Sequence, residues 1–100
     1  MGNSNSINSS EAKKLIKQNY FDVILDVRDE DEWNEGHHLS ATHIPLDKVK
    51  KNFHSKYPDR DIKVLIYCRS GMRAGSAKEI LESQEYSNIS VLDGSYTNLL

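Results

Sequence analysis

The stretch that most restricts the fold covers residues 64–74 and reads Val-Leu-Ile-Tyr-Cys-Arg-Ser-Gly-Met-Arg-Ala. An apolar run leads to the chain's one cysteine, a short polar loop follows, and a helical pattern begins. A strand that feeds a helix through such a loop belongs to an open α/β sheet, where ligands bind beyond the carboxyl ends of the strands. A second uninterrupted run, Val23-Ile24-Leu25, is continuous and not alternating. That predicts burial on both faces, as in a parallel sheet.

The remaining elements fit around these two strands. Ser9 or Ser10 can N-cap a helix through about residue 19, with Ala12, Leu15 and Ile16 on one face. A strand is predicted over residues 21–27, and the acidic run Asp29-Glu30-Asp31-Glu32 after it suits the start of a short helix that Gly36 ends. A loop follows, with an extended piece near Thr42-His43-Ile44, then Pro45 and a helix over about residues 46–53. Residues 57–61 form a turn. After the cysteine loop a helix is expected over about residues 74–84, with Gly75 allowing close approach to the sheet. A third strand covers residues 89–92, Asp93-Gly94 makes a turn, and residues 95–100 are a short tail. Strands alternating with helices define an α/β layer structure.

One hundred residues make one small domain, here read as residues 9–100 behind a flexible leader over residues 1–8 in which Ile7 could join an edge strand. Charged residues at 28% and hydrophobic ones at 37% suit a globular domain, and a net charge of −2 with mixed signs suggests no nucleic-acid partner. No apolar run approaches a membrane span and no secretory h-region is present. The compartment reads as cytoplasmic for the sequence as it stands, and as periplasmic if a signal peptide has been removed. Met1-Gly2-Asn3-Ser4-Asn5-Ser6 fits a short myristoylation pattern, but no polybasic run follows, and a polar leader is the better reading.

A single cysteine excludes an internal disulfide, a Cys-x-x-Cys pair and a thiolate-rich zinc site. His37, His38, His43 and His54 match no helical metal-ligand spacing, so no metal is expected. A free thiol, with a pKa of about 8.5, is only about 3% ionised near neutral pH. Amides at a helix start, the dipole behind them and the cations Arg69 and Arg73 all favour the anion. The same amides can hold an oxyanion, and Gly71 lets the loop curl so that they point inward. Cys68 is therefore the candidate nucleophile, with Arg69, Ser70, Gly71, Met72 and Arg73 as its substrate-binding loop. The plainer reading, a buried structural cysteine, is opposed by the polar residues around it.

Asp26-Val27-Arg28, Glu32-Trp33, Gly36-His37, Ile44-Pro45-Leu46, residues 67–73 and Leu92-Asp93-Gly94 together resemble the rhodanese-homology domain, over about residues 7–100. Size and the helix after the loop look most like the small single-domain sulfurtransferases of the phage-shock-protein E type, which are typically exported to the periplasm. The resemblance implies a small, mostly parallel central sheet with helices on both faces. It also implies a thiosulfate sulfurtransferase: Cys68 takes the outer sulfur of thiosulfate or another sulfane-sulfur donor as a persulfide. A thiol, a protein acceptor, or cyanide in vitro then removes it, with no cofactor. It casts Asp26 and Arg28 as a structural pair, His37 as a loop-ordering residue and Trp33 as a core anchor. Met72 either rims the pocket or packs, and Lys48, Lys50 and Lys51 form a solvated helix face.

Cysteine phosphatases of the same fold place arginine after five intervening residues. Here that position is Ala74, and Arg73 comes one residue early, which favours sulfur over phosphate or arsenate. Three departures from the family pattern stand out: Leu39-Ser40 replaces a turn, Gly94-Ser95 replaces Gly-Gly, and the terminal helix is reduced. The last two predict a more open pocket that suits a protein acceptor or a larger donor. A non-turnover sulfur carrier or regulatory binding module is the alternative to an enzyme. A monomer with no membrane partner is expected.

Overall fold

Burial on both faces is what the two uninterrupted apolar runs require, and Val23–Asp26 and Val64–Cys68 are buried at every position. The computed structural model describes residues 6–100. In chain order the elements are β1 (Ser6–Ile7), α1 (Ser9–Lys17), β2 (Val23–Asp26), α2 (Glu30–Glu35) and β3 (Ala41–His43). They continue with α3 (Leu46–Lys56), β4 (Val64–Cys68), α4 (Met72–Ser83), β5 (Ile89–Ser95) and a 3-10 helix, Tyr96–Leu99. The strands form a five-stranded sheet in the order β1-β5-β4-β2-β3, and every pairing is parallel.

Helices cover both faces. On one side Val49 and Phe53 of α3 and Ala74, Ala77 and Leu81 of α4 pack against Leu25, Val64, Ile66 and Val91. On the other, Ala12 and Ile16 of α1 and Leu99 of the 3-10 helix pack against Ile24, Leu65, Tyr67 and Leu92. Alternate residues of β4 thus serve opposite cores, which is why every position in that strand is buried.

Several boundaries differ from the sequence expectation. The leader reading of residues 1–8 is cut short: residues 6–7 pair in register with Val91 and Leu92. Residues 1–5, including the Gly2 pattern, lie outside the described residues. Asn8, and neither serine, caps α1, because its Oδ1 accepts the Glu11 N–H at 2.8 Å. That helix stops at Lys17, and Asn19 then takes a left-handed φ of 58°. The α3 helix runs on to Lys56, and α4 starts two residues early, at Met72.

The expected turn at Asp93-Gly94 is instead strand. The ladder with β4 shifts register between Ile66 and Cys68, and Gly94, at φ +97°, absorbs the irregularity. As a result Ser95 is the Cα partner of Cys68. Gly75 does not mediate a close approach: a Cβ placed there meets nothing within 4 Å.

Candidate active site

The loop that joins β4 to α4 begins at Cys68, the candidate nucleophile. Gly71 takes φ +104°, a left-handed conformation that suits glycine, and turns the chain into α4. That turn aims two backbone donors at the sulfur. The Gly71 N–H lies 3.0 Å and the Ala74 N–H 3.3 Å from Cys68 Sγ. Unpaired amides at a helix start suit an anionic sulfur, and they would equally hold the outer sulfur of a persulfide. Cys68 itself is fully enclosed, whereas Arg69 and Ser70 are exposed. The cysteine's position at the base of the loop therefore comes with a closed cover.

The loop arginines differ from one another. Arg69 is exposed and makes no ion pair among the described residues. The expectation of two free cations is corrected at Arg73. Its Nη1 and Nη2 donate to Glu32 Oε1 and Oε2 at 2.7 and 3.0 Å, and Asp29 lies 4.0 Å away. Glu32 also accepts the Asp29 N–H at 3.0 Å, so the start of α2 is tied to the first turn of α4. The guanidinium holds the Glu32 carboxyl at a pKa of about 2, against an ordinary 4.5. Met72 is 81% exposed at the head of α4, so it does not pack, and it is not among the residues that line the cavity beside the loop.

Behind the loop, Asp26 and Arg28 form a buried pair. The Asp26 carboxylate accepts the Arg28 backbone N–H at 2.9 Å, Nε at 3.1 Å and Nη2 at 2.8 Å. Arg28 Nη2 also donates to the Gly36 carbonyl at 2.6 Å. The guanidinium stacks 4.3 Å from the Tyr96 ring, and Tyr96 stacks on Tyr67 at 5.3 Å. The short C-terminus thus covers this side of the site, where a more open pocket was expected. Burial pushes the Tyr67 phenol above its ordinary range. It stays neutral and accepts the His38 N–H at 3.1 Å.

Trp33 is half-buried and not a core anchor. Its ring lies between His37 at 3.4 Å and His43 at 4.7 Å, both nearly parallel to it. His37 Nδ1 donates to the Trp33 carbonyl at 2.8 Å, ordering the turn after α2, and His43 Nε2 donates to the Arg28 carbonyl at 2.7 Å, tying the end of β3 to the connection between β2 and α2. His54 and Lys48, Lys50 and Lys51 are exposed on α3, away from this loop. Among the described residues no three His, Cys, Asp or Glu side chains converge as a metal site requires. Nor is any helix there long and apolar enough to cross a membrane.

A cavity of about 290 Å³ opens beside the reactive loop, lined by Arg28, Glu32, Glu35, Arg69, Ser95 and Tyr96, among others. Ser95 links it to Cys68 across the β4–β5 ladder. Sequence reasoning missed Glu32, Glu35, Ser95 and Tyr96 as parts of the site. Glu32 reads as part of an acidic helix start, nothing in the sequence singles out Glu35, and Ser95 and Tyr96 read as part of a tail.

Comparison with known proteins agrees with this geometry. The family model described as "Rhodanese-like domain" matches residues 8–100. The chain is 35% identical over 65 residues to thiosulfate sulfurtransferase PspE of Escherichia coli (strain K12), covering 65% of this chain and 62% of that protein. It is 32% identical over 90 residues to thiosulfate sulfurtransferase GlpE of Coxiella burnetii, covering 90% and 81% respectively. The match to PspE thus spans less than two thirds of that protein's length. Among solved structures, a rhodanese-related protein from Thermoplasma volcanium superposes with a TM-score of 0.78 at 28% identity, covering 94% of this chain and 88% of that one.

Proposed function

The chain belongs to the rhodanese-like domain family, and from that premise we propose that it is a sulfurtransferase that moves sulfane sulfur through a persulfide on Cys68. One observation carries the reading: the Cys68 sulfur sits at the carboxyl end of a central parallel strand and accepts two amides from the start of α4. The printed names of PspE and GlpE support thiosulfate as a donor.

The half-reactions balance without a cofactor. The Cys68 thiolate attacks the outer sulfur of thiosulfate, the S–S bond breaks, and its electron pair leaves with sulfite. Cys68 then carries S–S⁻. A thiol or protein acceptor, or cyanide in the assay, attacks that outer sulfur and restores the thiolate. The Gly71 and Ala74 amides lie where the negative sulfur must be held. Because Cys68 is enclosed, its cover must open for a donor to reach it.

That enclosure also favours a second reading, a sulfur carrier that loads once and does not turn over. A thiosulfate–cyanide assay with intact mass spectrometry separates the two. An enzyme forms thiocyanate continuously and loses all activity in Cys68→Ser. A carrier gains the mass of one sulfur atom on Cys68 but forms thiocyanate only stoichiometrically. Turnover that survives Cys68→Ser would remove the assigned nucleophile.

A further inference from the structure

The charges around the cavity cancel in a particular way. Its lining holds two arginines, Arg28 and Arg69, and two glutamates, Glu32 and Glu35. Arg28 is neutralised by Asp26 at 2.8 Å, and Glu32 is taken up by Arg73 at 2.7 Å. Neither pair offers a net charge to a ligand. What remains is one cation, Arg69, and one anion, Glu35, neither in an ion pair among the described residues. A dianion such as thiosulfate meets only Arg69 as attraction and meets Glu35 as repulsion. A ligand with a cationic group at one end and, at the other, a sulfur that departs as an anion matches both.

Resting on the sulfurtransferase reading above, we infer that Glu35 and Arg69 select the persulfide of a small aminothiol as sulfur donor, in preference to thiosulfate. The ammonium group faces Glu35, and the disulfide sulfurs lie towards Arg69 and the Cys68 loop. Ser95 lines this cavity and is the Cα partner of Cys68 in the ladder, so the cavity lies beside the strand that carries the sulfur. In the transfer, the Cys68 thiolate attacks the outer sulfur of R–S–SH. The S–S bond breaks and its electron pair departs with R–S⁻, whose charge Arg69 meets. The proton stays on the transferred sulfur, now Cys68–S–SH, and passes to solvent. No net oxidation occurs, since one S–S bond replaces another.

The test measures sulfur loading on Cys68 by intact mass spectrometry with three donors. These are cysteamine persulfide, the persulfide of 2-mercaptoethanol (a hydroxyl in place of the ammonium) and thiosulfate. Loading from cysteamine persulfide is expected to exceed that from the hydroxyl analogue by about two- to fivefold, the range of an exposed ion pair. In Glu35→Gln that gap closes and loading from thiosulfate rises. No gap in the wild type, or the same gap in Glu35→Gln, overturns the inference while leaving sulfur transfer intact. If Cys68 takes sulfur from none of the three, the sulfurtransferase reading fails and this inference falls with it.

Discussion

Glu32 and Arg73, 41 residues apart, meet end-on, with Nη1 2.7 Å from Oε1 and Nη2 3.0 Å from Oε2. The pair joins the acidic helix after β2 to the helix that holds the reactive sulfur, so it sets the position of the loop as well as its charge. The Glu32 pKa is about 2 in the folded chain and 4.5 when unperturbed. Stabilisation is therefore fully present above 4.5 and is lost as pH falls towards 2. The pair is partly exposed, with side chains 21% and 32% accessible, which limits its worth to about 1 kcal/mol. Glu32→Gln should lower the melting temperature near neutral pH by about 4–8 °C. Thermal unfolding at a series of pH values should show the two proteins converging in acid; a constant difference across the series would contradict the assignment.

The loop arginines should separate in their effects. Arg69 has no ion-pair partner among the described residues, so Arg69→Ala should raise the KM for thiosulfate and leave the melting temperature nearly unchanged. Arg73→Ala leaves Glu32 unpaired, so it should lower stability by about 1 kcal/mol and lower kcat through a displaced loop. Steady-state kinetics alongside thermal unfolding checks this. Identical profiles for the two variants would return both arginines to one common anion-binding role.

Gly71 holds φ +104°, and a Cβ there would stand 3.8 Å from the nearest neighbour, the Leu92 carbonyl oxygen. Space is thus available, and the penalty of Gly71→Ala comes from the backbone, at about 1–3 kcal/mol. The variant should also slow sulfur loading, because the Gly71 amide would no longer aim at Sγ. Gly75→Ala is the control. Its Cβ meets open space inside a helix, and the substitution should stabilise by about 0.4–1 kcal/mol. Urea denaturation of both variants decides the matter, and equal effects of the same sign would refute the backbone explanation.

Asp26 is fully buried and serves three donors of Arg28. Asp26→Ala strands a buried guanidinium and should cost about 3–5 kcal/mol. Asp26→Asn keeps a carbonyl for the Arg28 backbone N–H and should cost less. A urea-denaturation loss below about 1 kcal/mol for Asp26→Ala would mean that Gly36 and Tyr96 suffice to hold Arg28.

Local chemistry was readable along the chain because its causes are local. Continuous apolar runs at residues 23–25 and 64–66 announced strands buried on both faces, and the polar loop after Cys68 announced a helix start. The same locality explains the misses. Asp93-Gly94 has the composition of a turn, yet pairing with β4 carries β5 through it to Ser95. Trp33 is expected as a core anchor, yet its ring is half-buried and stacks on His37 and His43.

By itself the sequence determined the α/β class, the cysteine loop at the end of a buried strand, and the spacing of Arg73 from Cys68, since each depends on neighbours a few residues away. Only the tertiary structure decided which charges remain for a ligand. Parallel pairing of β2 with β4 brings the start of α2 beside the start of α4, so Glu32 takes Arg73 and leaves Arg69 and Glu35 as the uncancelled charges at the cavity. Net charge at a site is a property of pairs, and these pairs are made across a sheet whose strand order local periodicity does not encode.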